Sequence, residues 1–297
     1  MDQRSLVMHQ VMLADGPRMR AYDQALERAV EPGDVVVDVG AGTLVLGMLA
    51  LRHGAEHVYA VEADPEMAAV AERIIRANDL GDRITLLQGD ARAVRLPRKA
   101  DVIVSEMMGN LGPEEQMAEV VGAVARRNLA PGGRIVPQRL VTRFAAIEFD
   151  AEGWGVWHDD LLGFHLDVVA ESVRPEAQLH FFQRDPVLLG EPVVLVDGEL
   201  GERPDEVPSV VRLPIGRSGR VQAVMGYFEA DFGAGVSLAN FPSYPGCNWA
   251  VWIWPVRSTD VDEGDEIRVV VHRPPRTRGV RDVTGWRLDC AIGRGNV

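Results

Sequence analysis

Two glutamates in one short segment, Glu106 and Glu115, have the residue type and the spacing to bind a cation or to accept a proton. They lie in the sequence SEMMGNLGPEE at residues 105–115, directly after the apolar run ADVIV at residues 100–104. A continuous apolar, β-branched run predicts a buried strand, and the sequence after the second glutamate has helical periodicity. Open α/β sheets bind ligands beyond the carboxyl ends of their strands, so we predict that these carboxylates face a ligand.

A glycine-rich turn follows an earlier strand pattern and precedes a helical one. In the sequence DVGAG at residues 38–42, Gly40 and Gly42 allow a tight turn and close approach of the backbone to a ligand. Glu62 ends the second strand about 20 residues later, where nucleoside-binding folds place an acid for the ribose hydroxyls. Asp90 ends the third strand, where it can meet an adenine edge. Each residue alone has an ordinary structural explanation, but three strand ends in register predict nucleoside binding.

The elements that must position these residues alternate between strand and helix. Strand patterns occupy residues 34–40, 57–63, 83–90 and 100–106, and helical patterns occupy residues 43–54, residues 64–79 and the stretch from Glu114. From residue 134 onward, β-branched and aromatic runs are separated by Gly, Pro and Asp. We predict an N-terminal helix and a Rossmann-like α/β domain over residues 1–136, followed by a mostly β, barrel-like domain over residues 137–297.

Composition and charge restrict the classes of partner. The 297 residues are 46% hydrophobic, enough for a full core, and the formal net charge is −13. This charge argues against nucleic acid and an anionic membrane, which attract basic surfaces, and it suits a cationic substrate. The two cysteines form no zinc spacing and no disulfide framework, and no apolar run approaches the roughly 18 residues of a membrane span. The first residues form no apolar signal segment, so we predict a cytoplasmic protein.

One position decides between a dinucleotide and S-adenosylmethionine. The dinucleotide fingerprint requires a third glycine where this sequence has Val45. The segments VVVDVGAGT, VYAVEADP, ADVIVSEMMG and LAPGGRIVPQR closely resemble the protein arginine methyltransferase family, which belongs to the class I S-adenosylmethionine-dependent enzymes. The resemblance covers nearly the whole chain. It implies S-adenosylmethionine as the cofactor and requires no metal.

The resemblance also implies roles for individual residues. In the family, two glutamates grip the guanidinium group of arginine, and they map onto Glu106 and Glu115. The late segment NWAVW is similar to the family's Thr-His-Trp loop, although its Trp249 is equally compatible with a core aromatic. The segment around Arg18 is similar to the part that folds over the cofactor, where Arg18 would pair with the methionine carboxylate. The implied substrate contacts are Met108, Asn248 and Trp249, and the implied cofactor contacts are Arg18, Asp38, Gly40, Gly42, Glu62, Asp90 and Ala91.

The chemistry of a guanidinium group explains why two carboxylates are needed. The group stays protonated and its nitrogen lone pairs are delocalised, so it is a poor nucleophile. Two carboxylates can form charge-assisted hydrogen bonds with it, leave one nitrogen better able to attack, and accept a proton afterwards. Glu114 and Glu115 are adjacent, so either one also fits the simpler role of an acid in the first turn of a helix.

Three departures from the family bear on the substrate. Residues 3–8 lack the family's aromatic Tyr-Phe-x-x-Tyr pattern, Asn248 replaces the loop histidine, and Leu44 replaces a glycine, where it is expected to crowd the methionine portion of the cofactor. We therefore expect free arginine or a small guanidino compound slightly before a protein-bound arginine. The alternatives are a methyltransferase for another nitrogen or oxygen of a small metabolite, and a non-catalytic relative that binds the cofactor.

The resemblance further implies a homodimer. A helical dimerisation arm is expected at about residues 161–189, whose sequence has an apolar, helical-looking face. Phe164, Leu166, Phe181 and Phe182 are expected to dock on the second subunit.

Overall fold

Strand and helix alternate in the first half of the chain, as the sequence predicts. The computed structural model describes residues 3–149, 160–170, 176–202, 206–241, 249–275 and 279–294. Its helices are α1 (Gln3–Ala14), α2 (Gly16–Ala29), α3 (Val45–Arg52), α4 (Pro65–Ala77), α5 (Met117–Asn128) and α6 (Asp167–Ala170). The strands of the first half are β1 (Val35–Val39), β2 (His57–Glu62), β3 (Ile84–Gln88), β4 (Ala100–Ser105) and β5 (Leu129–Val136).

A five-stranded parallel sheet forms the centre of the first half, in the order β3-β2-β1-β4-β5. β1 is buried along its whole length, as expected for a strand whose two faces are both covered. β2 and β3 extend the sheet on one side of β1, and β4 and β5 extend it on the other. The carboxyl ends of β1 and β4 therefore form the switch point at which such sheets bind ligands.

The helix boundaries follow local sequence signals, with one exception. α4 begins as expected, because Asp64 accepts hydrogen bonds from the backbone of Glu66 and Met67 and caps the helix. The helix expected from Glu114 begins only at Met117. Pro113–Glu115 forms a separate 3-10 turn, and Gln116 has a left-handed backbone with φ of 63°, which interrupts the helix.

Antiparallel strands dominate the second half, so the prediction of a mostly β region is confirmed. Its strands are β6 (Arg139–Glu148), β7 (Asp160–Leu161), β8 (Phe164–His165), β9 (Gln178–His180), β10 (Val187–Leu188), β11 (Val193–Glu199), β12 (Val210–Pro214), β13 (Gly219–Gly233), β14 (Val236–Ala239), β15 (Val251–Val261), β16 (Glu266–His272) and β17 (Arg287–Gly293). The larger sheet has the order β10-β6-β13-β15-β9, and the smaller one has the order β12-β16-β17. Because β5 belongs to the parallel sheet and β6 to the antiparallel one, we propose the domain boundary at Val136.

The described residues of the arm predicted at residues 161–189 include both strands and a helix. They form the hairpin β7-β8, the single helical turn α6, and the short strands β9 and β10. Phe164 and Phe181 are exposed, whereas Leu166 is half-buried and Phe182 packs beside Phe149 with ring centroids 5.7 Å apart. Phe182 is therefore a core residue. Within the described ranges, no helix is long and apolar enough to cross a membrane.

Candidate active site

Glu62 is fixed at the carboxyl end of β2 by two backbone donors. Its Oε2 accepts a hydrogen bond from the Gly42 N–H at 2.8 Å, and its Oε1 accepts one from the Asp64 N–H at 2.8 Å. Each carboxylate oxygen can accept a further hydrogen bond. The side chain is thus a buried, oriented acceptor beside the glycine turn, which is the geometry expected of a ribose-binding acid.

The glycine turn approaches other atoms so closely that side chains are excluded. Gly40 and Gly42 have φ of +75° and +48°, and a Cβ on Gly42 would lie 2.5 Å from Cε1 of His9. His9 belongs to α1, which therefore covers the turn. Burial lowers the pKa of His9, and the negative charge of Glu62 partly opposes that change.

α1 and α2 line one wall of a cleft above the glycine turn. The cleft has a volume of about 490 Å³, part of which is open to solvent. His9, Met12 and Leu13 line it together, and this spacing places them on one face of the helix. Sequence reasoning left His9 out of the site, although its spacing to Met12 and Leu13 was a usable signal.

Asp38 lies at the bottom of this cleft and is 1% exposed. Its Oδ2 accepts a hydrogen bond from the Gly47 N–H at 2.9 Å, whereas its buried Oδ1 has no hydrogen-bond partner. Burial raises the pKa of Asp38 to about 7. The Gly47 N–H opposes this rise, and the charge of Glu62 adds to it. An unpaired, buried acceptor of this kind favours a positively charged ligand group.

The third strand end contributes less to the cleft than expected. Asp90 is half-exposed, and its Oδ2 pairs with Nη2 of Arg92 at 2.8 Å. The hydrogen bonds from Arg92 lower the pKa of Asp90. Ala91 is buried, and neither residue is among those that line the cleft. Their contact with adenine stays a prediction.

Residues 105–115, here called the acidic hairpin, connect β4 to α5. Gly109 and Gly112 exchange backbone hydrogen bonds of 2.9 and 3.2 Å across the hairpin. Thr142 of β6 donates its hydroxyl to the Leu111 carbonyl at 2.8 Å. The second half of the chain therefore helps to shape the segment that carries both predicted acids.

Arg18 occupies the space between the cleft and the acidic hairpin. Its Nη1 lies 3.6 Å from Oε2 of Glu106, and its Nε lies 3.5 Å from Oδ2 of Asp15. The guanidinium carbon stacks 3.4 Å from the ring centroid of Trp249, a close cation–π contact. Trp249 is also buried and packs edge-to-face with Phe228, as a core aromatic does, and its contact with the substrate stays a prediction.

The two predicted acids influence each other. Burial raises the pKa of Glu106 to about 7. The positive charge of Arg18 opposes this rise, and the charge of Glu115 adds to it. Glu115 is exposed to solvent on one side. Partial burial raises its pKa, and the positive charge of Arg18 opposes the rise. A second cation between these carboxylates would relieve their repulsion, so the pair is suited to a guanidinium group.

Glu114 has a different environment from its neighbour. Its Oε1 accepts a hydrogen bond from the Asn110 N–H at 2.6 Å, and its Oε2 accepts one from Nε1 of Trp252 at 3.0 Å. Neither Glu114 nor Glu115 lies in the first turn of α5, where the acid is Glu119. Both lie instead in the 3-10 turn directly before α5, so the simpler explanation as helix-terminus acids applies only to that short turn.

Met108 is more buried than a substrate contact requires. It is 4% exposed and packs in the core of the first half, and its contact with the substrate stays a prediction. Its neighbour Met107 instead points to the glycine turn, with Cγ 3.1 Å from the place of a Cβ on Gly40.

Leu44 and Asn248 stand where the family has other residues, and the structure describes only the first of them. Leu44 is fully buried in the core and is absent from the residues that line the cleft, so the expected crowding is not found. Asn248 lies outside the described residues.

Sequence comparison adds to this geometry. A methyltransferase domain family matches residues 36–133. Protein arginine N-methyltransferase 1 of Schizosaccharomyces pombe is 32% identical over 288 residues, which cover 93% of this chain and 84% of the relative. The enzyme of the same name from Chlamydomonas reinhardtii is 28% identical and covers similar shares, 93% and 83%. The chain belongs to the protein arginine N-methyltransferase family.

Solved structures of arginine methyltransferases have the same fold. The PRMT1 enzyme–prozyme heterotetrameric complex of Trypanosoma brucei, solved with AdoHcy, superposes with a TM-score of 0.79 at 23% identity over 97% of this chain and 93% of that one. Arabidopsis thaliana protein arginine methyltransferase 10, in an open conformation, gives a TM-score of 0.77 at 23% identity over the same shares. The predicted fold, a Rossmann-like domain followed by a β domain, is thus confirmed.

The cleft of this arginine methyltransferase fits S-adenosylmethionine, which is its cofactor. The contact of Glu62 with the ribose hydroxyls stays a prediction. The methionine portion carries a carboxylate and an ammonium group, and the cleft offers a buried donor and a buried acceptor that make no hydrogen bond within the described residues, Nε of Arg18 and Oδ1 of Asp38. The bound cofactor supplies an electrophilic methyl group on a sulfonium centre.

Proposed function

We propose that this enzyme methylates a guanidinium nitrogen of an arginine side chain within a protein, with Glu106 and Glu115 as the residues that grip the guanidinium group. One observation carries the proposal. Arg18 already places a guanidinium group 3.6 Å from Glu106, beside the cofactor cleft, and its charge acts on Glu115 as well. This arrangement supports a site that accepts planar cations between two carboxylates.

The proposed mechanism depends on charge and position. Both glutamates accept hydrogen bonds from the substrate, hold its positive charge on two nitrogens, and leave the third nitrogen directed towards the cleft. The positive charge of Arg18 favours the ionised form of Glu106, because it opposes the rise in pKa that burial causes. One glutamate accepts the proton that the methylated nitrogen releases. Alignment in a site with little water supplies much of the rate.

The relatives indicate which form of arginine is the substrate. They are named protein arginine methyltransferases, and one from rice is named a probable histone-arginine methyltransferase, 46% identical over 135 residues that cover 44% of this chain and 25% of that protein. The expectation that free arginine is preferred has no support from these names. We therefore propose an arginine in a protein or peptide. Because Glu115 is exposed, a peptide can approach the carboxylates of Glu106 and Glu115 from solvent.

Mass spectrometry tests the reaction and the substrate class together. The enzyme is incubated with S-adenosylmethionine and either an arginine-rich peptide or free arginine, and we expect methyl groups on the peptide. Glu106→Gln should lower turnover by about 10² to 10³, the effect of losing one preorganised electrostatic group. Glu72→Gln on α4, whose exposed carboxylate only pairs with Arg76, is the matched control.

Two outcomes would contradict this proposal. Methylation of free arginine at the higher rate would transfer the assignment to a small-molecule substrate. A folded Glu106→Gln variant with near wild-type turnover would remove the guanidinium mechanism and favour another nitrogen or oxygen acceptor.

We also propose that the enzyme forms a homodimer through the arm. The arm exposes large apolar side chains, with Phe164 68% and Phe181 61% exposed. Such surface is usually covered by a partner. The complex from Trypanosoma brucei is a heterotetramer, which agrees with assembly in this family. The cytoplasmic location stays a prediction.

A further inference from the structure

We propose that Glu114 is a positioning residue. Its hydrogen bond to the indole of Trp252 fixes the acidic hairpin so that Glu115 can face Glu106. The inference rests on the proposed function of Glu106 and Glu115. It assigns a separate role to Glu114, which directly precedes Glu115 in the sequence.

The contacts of Glu114 connect the two arms of the acidic hairpin. Its Oε1 accepts the Asn110 N–H at 2.6 Å, which joins the end of the hairpin to its middle. Its carboxylate also fills the space beside Gly109, where a Cβ would collide with the Glu114 side chain. The glycine at this position is therefore required by Glu114.

The other carboxylate oxygen connects the hairpin to a rigid strand. Trp252 lies on β15 and is 6% exposed, and its Nε1 donates to Oε2 of Glu114 at 3.0 Å. The indole packs beside Trp254 with centroids 6.4 Å apart, and Trp254 stacks on Trp286 at 6.3 Å. A row of buried indoles thus holds the donor in place.

Glu115 depends on this anchor because it has no hydrogen bond of its own in the described part of the chain. Its direction is set by the 3-10 turn Pro113–Glu115 and by the left-handed backbone of Gln116. Movement of Glu114 away from Trp252 would turn Glu115 with it. Both oxygens of Glu114 accept donors of the protein, which fixes the direction of its carboxylate towards Asn110 and Trp252.

A carboxylate suits this position better than an amide. Glu114 must accept donors on both oxygens, and a glutamine offers one acceptor and one NH₂ group. In Glu114→Gln, that NH₂ group would face either the Asn110 N–H or the Trp252 N–H, so that two donors oppose each other. Trp252→Phe removes only the indole donor and leaves an aromatic ring in the core.

A double-mutant cycle tests the proposal. Glu114→Gln, Trp252→Phe and the double variant are compared for acceptor-peptide KM, kcat, cofactor affinity by calorimetry and melting temperature. We expect Glu114→Gln to lower kcat/KM for the peptide about ten- to hundredfold, which corresponds to one charged hydrogen bond, while cofactor affinity stays within about twofold. In the Trp252→Phe background the same change should cost much less, because the opposing donor is gone.

Glu148→Gln is the matched control. It changes a carboxylate whose Oε2 accepts the Arg220 N–H at 3.0 Å, outside the acidic hairpin, so peptide KM should not change. Additive effects of Glu114→Gln and Trp252→Phe would overturn the proposal. So would a severe loss in Glu114→Gln with wild-type kinetics in Trp252→Phe, since Glu114 would then act on the substrate directly. If the proposed function of the two glutamates is wrong, the Glu106→Gln variant should stay active. If only the role of Glu114 is wrong, Glu106→Gln should still lose turnover.

Discussion

The pKa of Asp38 predicts that cofactor binding depends on pH. In the free enzyme this buried carboxyl has a pKa of about 7, and its Oδ1 has no hydrogen-bond partner. If the ammonium group of S-adenosylmethionine binds beside it, the ionised form is favoured and the pKa falls well below 7. Below pH 7 the cofactor must therefore displace a proton from Asp38, and its affinity should fall as the pH falls.

The size of the effect follows from the pKa. A group that must lose its proton weakens binding about tenfold for each pH unit below its pKa, since one unit corresponds to 1.36 kcal/mol. From pH 7.5 to pH 5.5, a pKa of about 7 gives a loss of roughly 20- to 30-fold. Near pH 6, binding should release about one proton, because the free carboxyl is then mostly protonated.

Titration calorimetry over pH 5.5–7.5, in two buffers of different ionisation enthalpy, measures both the affinity and the released proton. His9 and Glu106 line the same cleft, and their pKa values are lowered from 6.5 and raised to about 7, respectively. The effect of Asp38 is therefore measured as the difference in the pH dependence of cofactor affinity between wild type and Asp38→Asn. The variant should bind more weakly at pH 7.5 and should lose most of the pH dependence. An Asp38→Asn curve parallel to that of the wild type would refute the reasoning.

Two further predictions concern the cofactor and the assembly. Glu62→Ala should weaken S-adenosylmethionine binding by about 1.5 to 3 kcal/mol, the range for charged hydrogen bonds, and calorimetry showing unchanged affinity in a folded variant would remove the nucleoside assignment. Phe164→Glu combined with Phe181→Glu should convert a dimer into monomers of reduced activity in sedimentation experiments, and a fully active wild-type monomer at low concentration would contradict this.

The parallel sheet that carries the predicted cofactor residues was predicted well because its signals are local. Each strand of the parallel sheet carries its own apolar pattern, and parallel strands place their carboxyl ends at one edge. Gly42 and Glu62 therefore had to meet once β1 and β2 paired, and they are joined by a hydrogen bond of 2.8 Å. Asp90 ends a strand of the same sheet, but it lies beside Arg92, and this local ion pair takes up its carboxylate.

The contacts of the acidic hairpin were beyond sequence reasoning because they join distant residues. Glu114 and Trp252 are 138 positions apart, and nothing near either residue indicates the other. Arg18 and Trp249 likewise meet only when the β domain packs against α2. Local pattern therefore selected Glu106 and Glu115 as candidates but gave no sign of the contact between Glu114 and Trp252.

The environment of Leu44 bears on the alternative that the protein is a non-catalytic relative. Its φ of 64° is left-handed, which costs a residue with a Cβ about 1 to 2 kcal/mol. Complete burial of its side chain in the core contributes about 1.5 to 3 kcal/mol, enough to offset that strain. A leucine in place of the family glycine is thus sustained by packing below the cleft and takes no space from the cofactor. The non-catalytic alternative depended on Leu44 and Asn248, and the described structure removes the first of these two supports.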